Sequence, residues 1–368
     1  MADSGAAGKL GSGPKAQRRR VTMTDVAKAA GCSQATVSFV LNRTAGMKLS
    51  QQTRDRVTEA ARALGYVSSS FPAQTAGLSA QAHPVDRIVG LAVDQLATSP
   101  EAVVAIEGVR QAACIAGNVV LIAQALGDAA IELRTLRALT GAGVYALIYM
   151  AIFTREIVAP AYLTELDIPV ILLNCYTADN AFPAVVPSEI VGGQVSTRHL
   201  IDRGHRRIAT ITGDPRMEAA QHRLKGYRRA LATADIPFDP DLVVEGDWSA
   251  GAGYRATVQL MALPDRPTAI FCQNDRTAIG CYKALKETGH SIPHDVSVVG
   301  YDDEEMARHM HPPLTTSILP HRAMGMWVVE QLANLPSVSK RYPITKLECP
   351  LVERESVATA RARPRSAI

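Results

Sequence analysis

Two hydrophobic rhythms divide this chain. From Val21 to Tyr66 apolar positions recur at helical spacing, and from Ile88 onward short continuous apolar runs alternate with amphipathic stretches. In the first part Thr22 and Asp25 form a Thr-x-x-Asp start signal, Val26, Ala27 and Ala30 follow on one face, and Gly31 closes the helix. Ser33 caps a second helix over about 34–42, and Ser50 caps a third in which Val57, Ala60, Ala61 and Leu64 share a face. Two helices joined by a tight Gly-containing turn predict a helix-turn-helix. Beyond it, apolar strands are expected at 88–93, 119–123, 144–150, 169–173, 208–212, 269–272 and 296–300. Helices are expected between most of them, including 100–116, 190–203, 219–233, 250–262 and 275–288. Continuous apolar strands alternating with amphipathic helices predict parallel sheets covered on both faces. So many units suggest two subdomains rather than one sheet.

The second helix has two different sides. At about 100° per residue, Val37, Val40 and Leu41 cluster on one side and would pack on the neighbouring helices. The other side carries Ala35, Ser38, Phe39 and Asn42, with Gln34 at its edge. An uncharged face with one aromatic ring suits a major groove, where Phe39 would meet a thymine methyl and Gln34 a base edge. Charge points the same way. Residues 1–66 carry eleven Lys and Arg against four Asp and Glu, a net +7, whereas the whole chain is +4. The basicity is local, as binding to phosphates requires.

The segment Val-Thr-Met-Thr-Asp-Val-Ala-Lys-Ala-Ala-Gly-Cys-Ser-Gln-Ala-Thr-Val-Ser-Phe-Val-Leu-Asn, followed by Ser-Gln-Gln-Thr-Arg-Asp-Arg-Val and Ala-Leu-Gly-Tyr, resembles the DNA-binding headpiece of the lactose-repressor and galactose-repressor (LacI/GalR) family of bacterial transcription regulators. The resemblance continues to about residue 357. It implies a small all-α helix-turn-helix headpiece and a two-lobed, periplasmic-binding-protein-like (type I) effector domain of Rossmann-like α/β lobes. The implied layout is a basic tail over 1–20, headpiece 21–66, hinge or linker 67–85, effector and dimerisation domain 86–357, and tail 358–368. Lobe 1 would comprise 86–187 and 319–338, and lobe 2 would comprise 188–318 and 339–357. DNA contacts are expected from Thr22, Ser33, Gln34, Ala35, Thr36, Ser38, Phe39 and Asn42. Phe39 departs from the polar or basic residue usual in the family. The family's minor-groove wedge leucine would fall at Thr75, with Leu78 three residues on. A wedge at Leu78 and a plain linker both remain open.

In open α/β sheets, ligands bind at the carboxyl ends of strands. Asn174, Asn274 and Asp302 end expected strands there. Arg223 lies early in a helix, and Trp248 sits in Gly-Asp-Trp-Ser-Ala. Amide, carboxylate and indole groups suit a polyhydroxylated ligand. The family's effector positions match these five residues, and a carbohydrate effector is the expectation. The resemblance also implies a homodimer on a near-palindromic operator. The short basic tail after 357 has no heptads for a tetramerising coil.

Other function classes fare worse. A periplasmic solute carrier would want a secretion signal, and the first residues show no apolar core for one. An enzyme would want a recognisable set, yet G-x-S-x-G, G-x-x-x-x-G-K-[ST] and a G-x-G-x-x-G after the first strand are absent. His309 and His311 have no further ligand set, so no metal or cofactor is expected. The longest apolar runs, such as 144–153, are too short to cross a bilayer, and six scattered cysteines read as reduced thiols. A cytoplasmic, non-enzymatic, DNA-binding repressor controlled by a small effector is the expectation.

Overall fold

The structure, a computed structural model, describes residues 23–32, 37, 51–64, 87–96, 100–125, 127–332 and 341–361. The chain divides into two compact units, Met1–Ala82 and His83–Ile368.

In the first unit, α1 (Met23–Ala30) packs on α2 (Gln51–Ala63). Val26, Ala27, Ala30, Val37, Val57 and Ala61 form its buried core. Gly31 takes a φ of +61°, and the Cys32 N–H returns to the Ala27 carbonyl at 3.1 Å. That reversal ends the helix where the glycine predicted it. Leu64, expected on the buried face, is exposed because α2 has ended at Ala63.

The second unit runs β1 (Arg87–Val93), α3 (Pro100–Ile115), β2 (Asn118–Gln124), α4 (Ala129–Gly141), β3 (Ala146–Glu156), α5 (Ala161–Thr164), β4 (Val170–Tyr176), β5 (Ala184–Pro187), α6 (Glu189–Asp202) and β6 (Ile208–Ile211). It continues with α7 (Glu218–Thr233), β7 (Val243–Val244), α8 (Ala250–Met261), β8 (Ala269–Cys272), α9 (Asp275–Glu287), β9 (Ser297–Asp302), β10 (Thr315–Ile318), α10 (His321–Leu332), β11 (Ile344–Leu347) and β12 (Leu351–Val352). Two six-stranded sheets result, ordered β11-β5-β4-β3-β1-β2 and β12-β10-β9-β8-β6-β7. Every pairing is parallel except β10 with β12. The unbroken apolar runs of β3, β4 and β8 are buried along most of their length, as strands covered on both faces must be.

The chain crosses between the lobes three times, at β5–α6, β10–α10 and β11–β12. The third crossing corrects the expected boundary, because residues 339–357 do not all return to lobe 2. Ile344–Leu347 completes the edge of the first sheet beside Ala184–Pro187, and only Leu351 onward joins the second. The expected tail also starts too early. Ala358 N donates to Ser297 Oγ at 3.1 Å and Ala360 N to the Arg203 carbonyl at 2.8 Å, so the second lobe reaches at least Ala360.

Three helix pairs cross backbone against backbone. A Cβ on Gly108 would overlap the Arg322 carbonyl, and one on Gly325 the Ala105 carbonyl, across α3 and α10. Gly193 and Gly226 make the same exchange with the Arg223 and Ile190 carbonyls across α6 and α7. Gly253 and Gly280 do so with the Thr277 and Ala250 carbonyls across α8 and α9. A glycine within a helix costs up to about 1 kcal/mol relative to alanine, and close approach of the backbones is what offsets that cost here.

The crossings predict opposite signs for two substitutions on one helix. Gly253→Ala should destabilise the protein, since overpacking costs about 1–3 kcal/mol. Gly251→Ala should stabilise it by a few tenths of a kcal/mol, because Gly251 is exposed and a Cβ there meets only the Arg255 and Ser249 side chains. Thermal denaturation of both variants checks this; shifts of the same sign would contradict it.

Candidate functional site

The carboxyl ends of β3, β4, β8 and β9 open into one cavity of about 800 Å³ between the two lobes. Asn174, Arg223, Trp248, Asn274 and Asp302 all line it. Sequence positions spread over more than a hundred residues therefore do come together.

Arg223 is the centre of this group. Its guanidinium is buried and grips Glu189 with both ends of its fork, Nε to Oε2 at 2.7 Å and Nη2 to Oε1 at 3.0 Å. Nη1 donates to the Gln273 carbonyl and lies 3.4 Å from Asp302 Oδ1. The plane also sits 3.8 Å from the Tyr301 ring centroid and 5.3 Å from that of Trp248. Burial opposes the arginine charge, and Glu189 and Asp302 outweigh it, so the group is held more firmly protonated than a free arginine. Of five guanidinium hydrogens, one on Nη2 is left for another partner.

Three of the five residues adopt backbone conformations that L-residues avoid. Asn174 has φ +61°, Trp248 +69° and Asp302 +114°. Such positions cost on the order of 1–3 kcal/mol each and collect at ligand sites. Trp248 lies flat on Gly213, where a Cβ would overlap the indole, and its Nε1 donates to Met217 Sδ at 3.0 Å. Ser249 next to it caps α8 by accepting from Ala252 N at 3.1 Å.

Two of the amides have scaffold duties. Asn174 Nδ2 donates to the Ala151 and Ile152 carbonyls at 3.0 Å each, and its Oδ1 accepts from Thr154 Oγ1 at 2.7 Å. It thereby holds the irregular end of β3, where the register shifts between Met150 and Arg155. Asn274 caps α9 through Thr277 N at 2.9 Å and donates to the Trp248 carbonyl at 3.1 Å, fixing the tryptophan loop.

Glu189 and His321, which no sequence pattern singles out, also belong to this site. Glu189 is 34 positions from Arg223, so no local spacing joins them. Asp275 accepts from Thr316 Oγ1 at 2.7 Å and Glu304 N at 2.8 Å, binding α9 to the loop after β9. Burial pushes its carboxyl up to about 7. His321 also lines the cavity and is buried. The expected DNA contacts Thr22, Ser33, Gln34, Ala35, Thr36, Ser38, Phe39 and Asn42 lie outside the described residues, as do Thr75 and Leu78. Among the described residues no group of three His, Cys, Asp or Glu could hold a metal, and no helix is long and apolar enough to cross a membrane.

Comparison with known proteins settles the family. The model for bacterial regulatory proteins of the lacI family matches residues 22–69, and that for a periplasmic binding protein-like domain matches 197–357. The ribose operon repressor of Haemophilus influenzae is 32% identical over 91% of this chain and 98% of its own length. The chain belongs to the LacI family. This LacI-family protein is thus a DNA-binding transcriptional regulator with a small-molecule effector domain. Among solved structures, a CelR–cellobiose complex is similar at TM-score 0.62 and 30% identity, covering 92% of this chain and all of that one. A lac repressor dimer bound to operator and an anti-inducer is similar at TM-score 0.62 and 28% identity, with the same coverage.

The buried histidine makes the stability of this LacI-family protein depend on pH. Burial holds the His321 imidazole down at about 4 from an ordinary 6.5. A group that stays neutral in the fold but charges when unfolded lends stability above its unfolded pKa, and that stability is lost as pH falls toward the folded value. The gap corresponds to about 3 kcal/mol. Urea denaturation between pH 7 and 4 should show wild type losing about that much more stability than His321→Phe; equal losses would contradict it.

Proposed function

We propose that this protein binds operator DNA through its headpiece and that a neutral carbohydrate in the interlobe cavity controls that binding. The observation that carries the effector class is the charge pattern of the cavity. Glu189, Asp247, Asp302 and Glu304 line it against only two guanidiniums, Arg223 and Arg276. Both guanidiniums already carry carboxylate partners, Arg223 with Glu189 and Asp302 and only one N–H to spare, Arg276 with Glu304 at 3.1 Å. An anionic ligand would meet an excess of carboxylates, whereas hydroxyls can bond to carboxylates and amides alike. The indole of Trp248 supplies an apolar face for sugar C–H groups. The ribose repressor and the cellobiose-bound CelR are relatives whose names point the same way.

On the DNA side, Thr22, Ser33, Gln34, Ala35, Thr36, Ser38, Phe39 and Asn42 are the residues that contact the operator. The burial of Val37 in the headpiece core supports that assignment. Effector binding then favours one arrangement of the lobes, and the effect on operator affinity is bounded by the effector's preference between the two arrangements, about 1–3 kcal/mol in typical cases.

Two copies pair through lobe 1. Val103, Val104 and Ile115 on α3 and Val119, Leu121 and Ile122 on the edge strand β2 are all exposed. An apolar helix face beside an open sheet edge is a surface that a monomer does not leave uncovered. The lac repressor in the operator complex is a dimer.

A thermal-shift screen of neutral pentoses, hexoses and disaccharides should yield a stabilising sugar, and that sugar should change the affinity of the protein for a fragment selected from genomic DNA, read by fluorescence anisotropy. Trp248→Leu should weaken the sugar by about ten-fold or more and leave sugar-free DNA binding intact. A sugar response unchanged by the substitution would remove Trp248 from the site. Val119→Asp should sediment as a monomer and lose DNA affinity; a stable dimer would place the interface elsewhere.

A further inference from the structure

His321 is the first residue of α10, just past the β10–α10 crossing between the lobes. Its side chain is 3% exposed and lines the effector cavity. No protein group hydrogen-bonds to either Nδ1 or Nε2. His205 shows what a structural histidine does in this same fold: its Nδ1 pairs with Thr268 Oγ1 at 2.9 Å and its Nε2 with the Ala358 carbonyl at 3.0 Å. A buried polar group without a partner costs about 1–3 kcal/mol. A phenylalanine would fill the same space at no such cost.

The chemistry of the ring narrows what would satisfy it. Burial keeps it neutral at ordinary pH. A neutral imidazole offers one N–H donor and one bare nitrogen acceptor. A hydroxyl matches either nitrogen, giving its proton to one or accepting from the other. A carboxylate could use only the N–H and would leave the bare nitrogen without a partner, and the charges of Glu189 and Arg223 both act on this ring with opposite sign. The position of the ring adds a mechanical consequence. α10 is locked to lobe 1, with Gly325 against the Ala105 carbonyl, whereas Arg223 and Asp302 belong to lobe 2.

We propose that His321 is an effector-contacting and specificity-determining residue, whose ring exchanges a hydrogen bond with one hydroxyl of the bound carbohydrate. Through it, a sugar held by the lobe 2 residues is tied to lobe 1, so the same hydroxyl that sets specificity also favours closure of the cleft. This rests on the carbohydrate reading of the cavity.

Calorimetric titration of the full-length protein tests the idea, using D-ribose, D-glucose, D-galactose, cellobiose and any further neutral sugar found by the thermal-shift screen, each with its monodeoxy analogues. Wild type should bind one monodeoxy analogue about ten-fold or more weaker than its parent sugar. His321→Phe should bind that parent and that analogue equally, while still preferring the parent at the other hydroxyls. His321→Gln, which keeps a donor and an acceptor, should restore part of the discrimination. Because Phe removes an unpartnered polar group, His321→Phe should melt no lower than wild type, which separates lost recognition from lost folding. The proposal is overturned if His321→Phe discriminates among the analogues as wild type does, or if it weakens every sugar by the same factor. If no neutral sugar binds wild type at all, the carbohydrate reading falls and this proposal falls with it.

Discussion

The cleft depends on a charge kept out of water. Arg223 sits at the meeting point of α7, the end of β9 and the start of α6, with a bidentate Glu189 and a more distant Asp302 as counter-charges. Removing one partner of a buried pair costs about 3–5 kcal/mol, because the other charge is left unpaired in a poor solvent. The pair is thus an expensive way to gain stability but a strict way to fix geometry. Glu189 follows directly from β5, the last lobe 1 strand before the first crossing, so the ion pair anchors the lobe 2 site at the point where the chain leaves lobe 1.

Around that charge the backbone supplies the rest. The three glycine crossings bring α6 onto α7, α8 onto α9 and α3 onto α10 at distances that no Cβ would permit. The first sets Glu189 against Arg223, the second places the Trp248 and Asn274 turns side by side, and the third carries His321. Left-handed backbone at Asn174, Trp248 and Asp302 then aims the strand ends into the cavity. Left-handed backbone and close helix crossings meet at this cleft, where the fold sacrifices local preference for a defined shape.

Much of the fold was legible because long amphipathic helices and fully apolar strands announce themselves. The helix expected over 190–203 is Glu189–Asp202, and that over 275–288 is Asp275–Glu287. The five cleft residues were legible as strand-end and turn positions, helped by family resemblance. What could not be read depends on distant partners. The two-residue strands β7 and β12 carry no periodicity of their own. Ile344–Leu347 belongs to lobe 1 only because β5 offers it an edge. Glu189 looked like any helix-starting glutamate, and His321 like any polar residue after a proline. The glycines at 193, 226, 253 and 280 carry no local mark of the backbone contacts they permit.

The Arg223–Glu189 pair organises the cleft as a unit. A double-mutant cycle of Arg223→Met, Glu189→Met and the double variant, followed by urea denaturation, measures this most directly. Each single change should be strongly destabilising, the double variant should recover about 2 kcal/mol or more relative to additivity, and the refolded double variant should show no sugar-induced rise in melting temperature. Additive losses with the sugar response intact would contradict it.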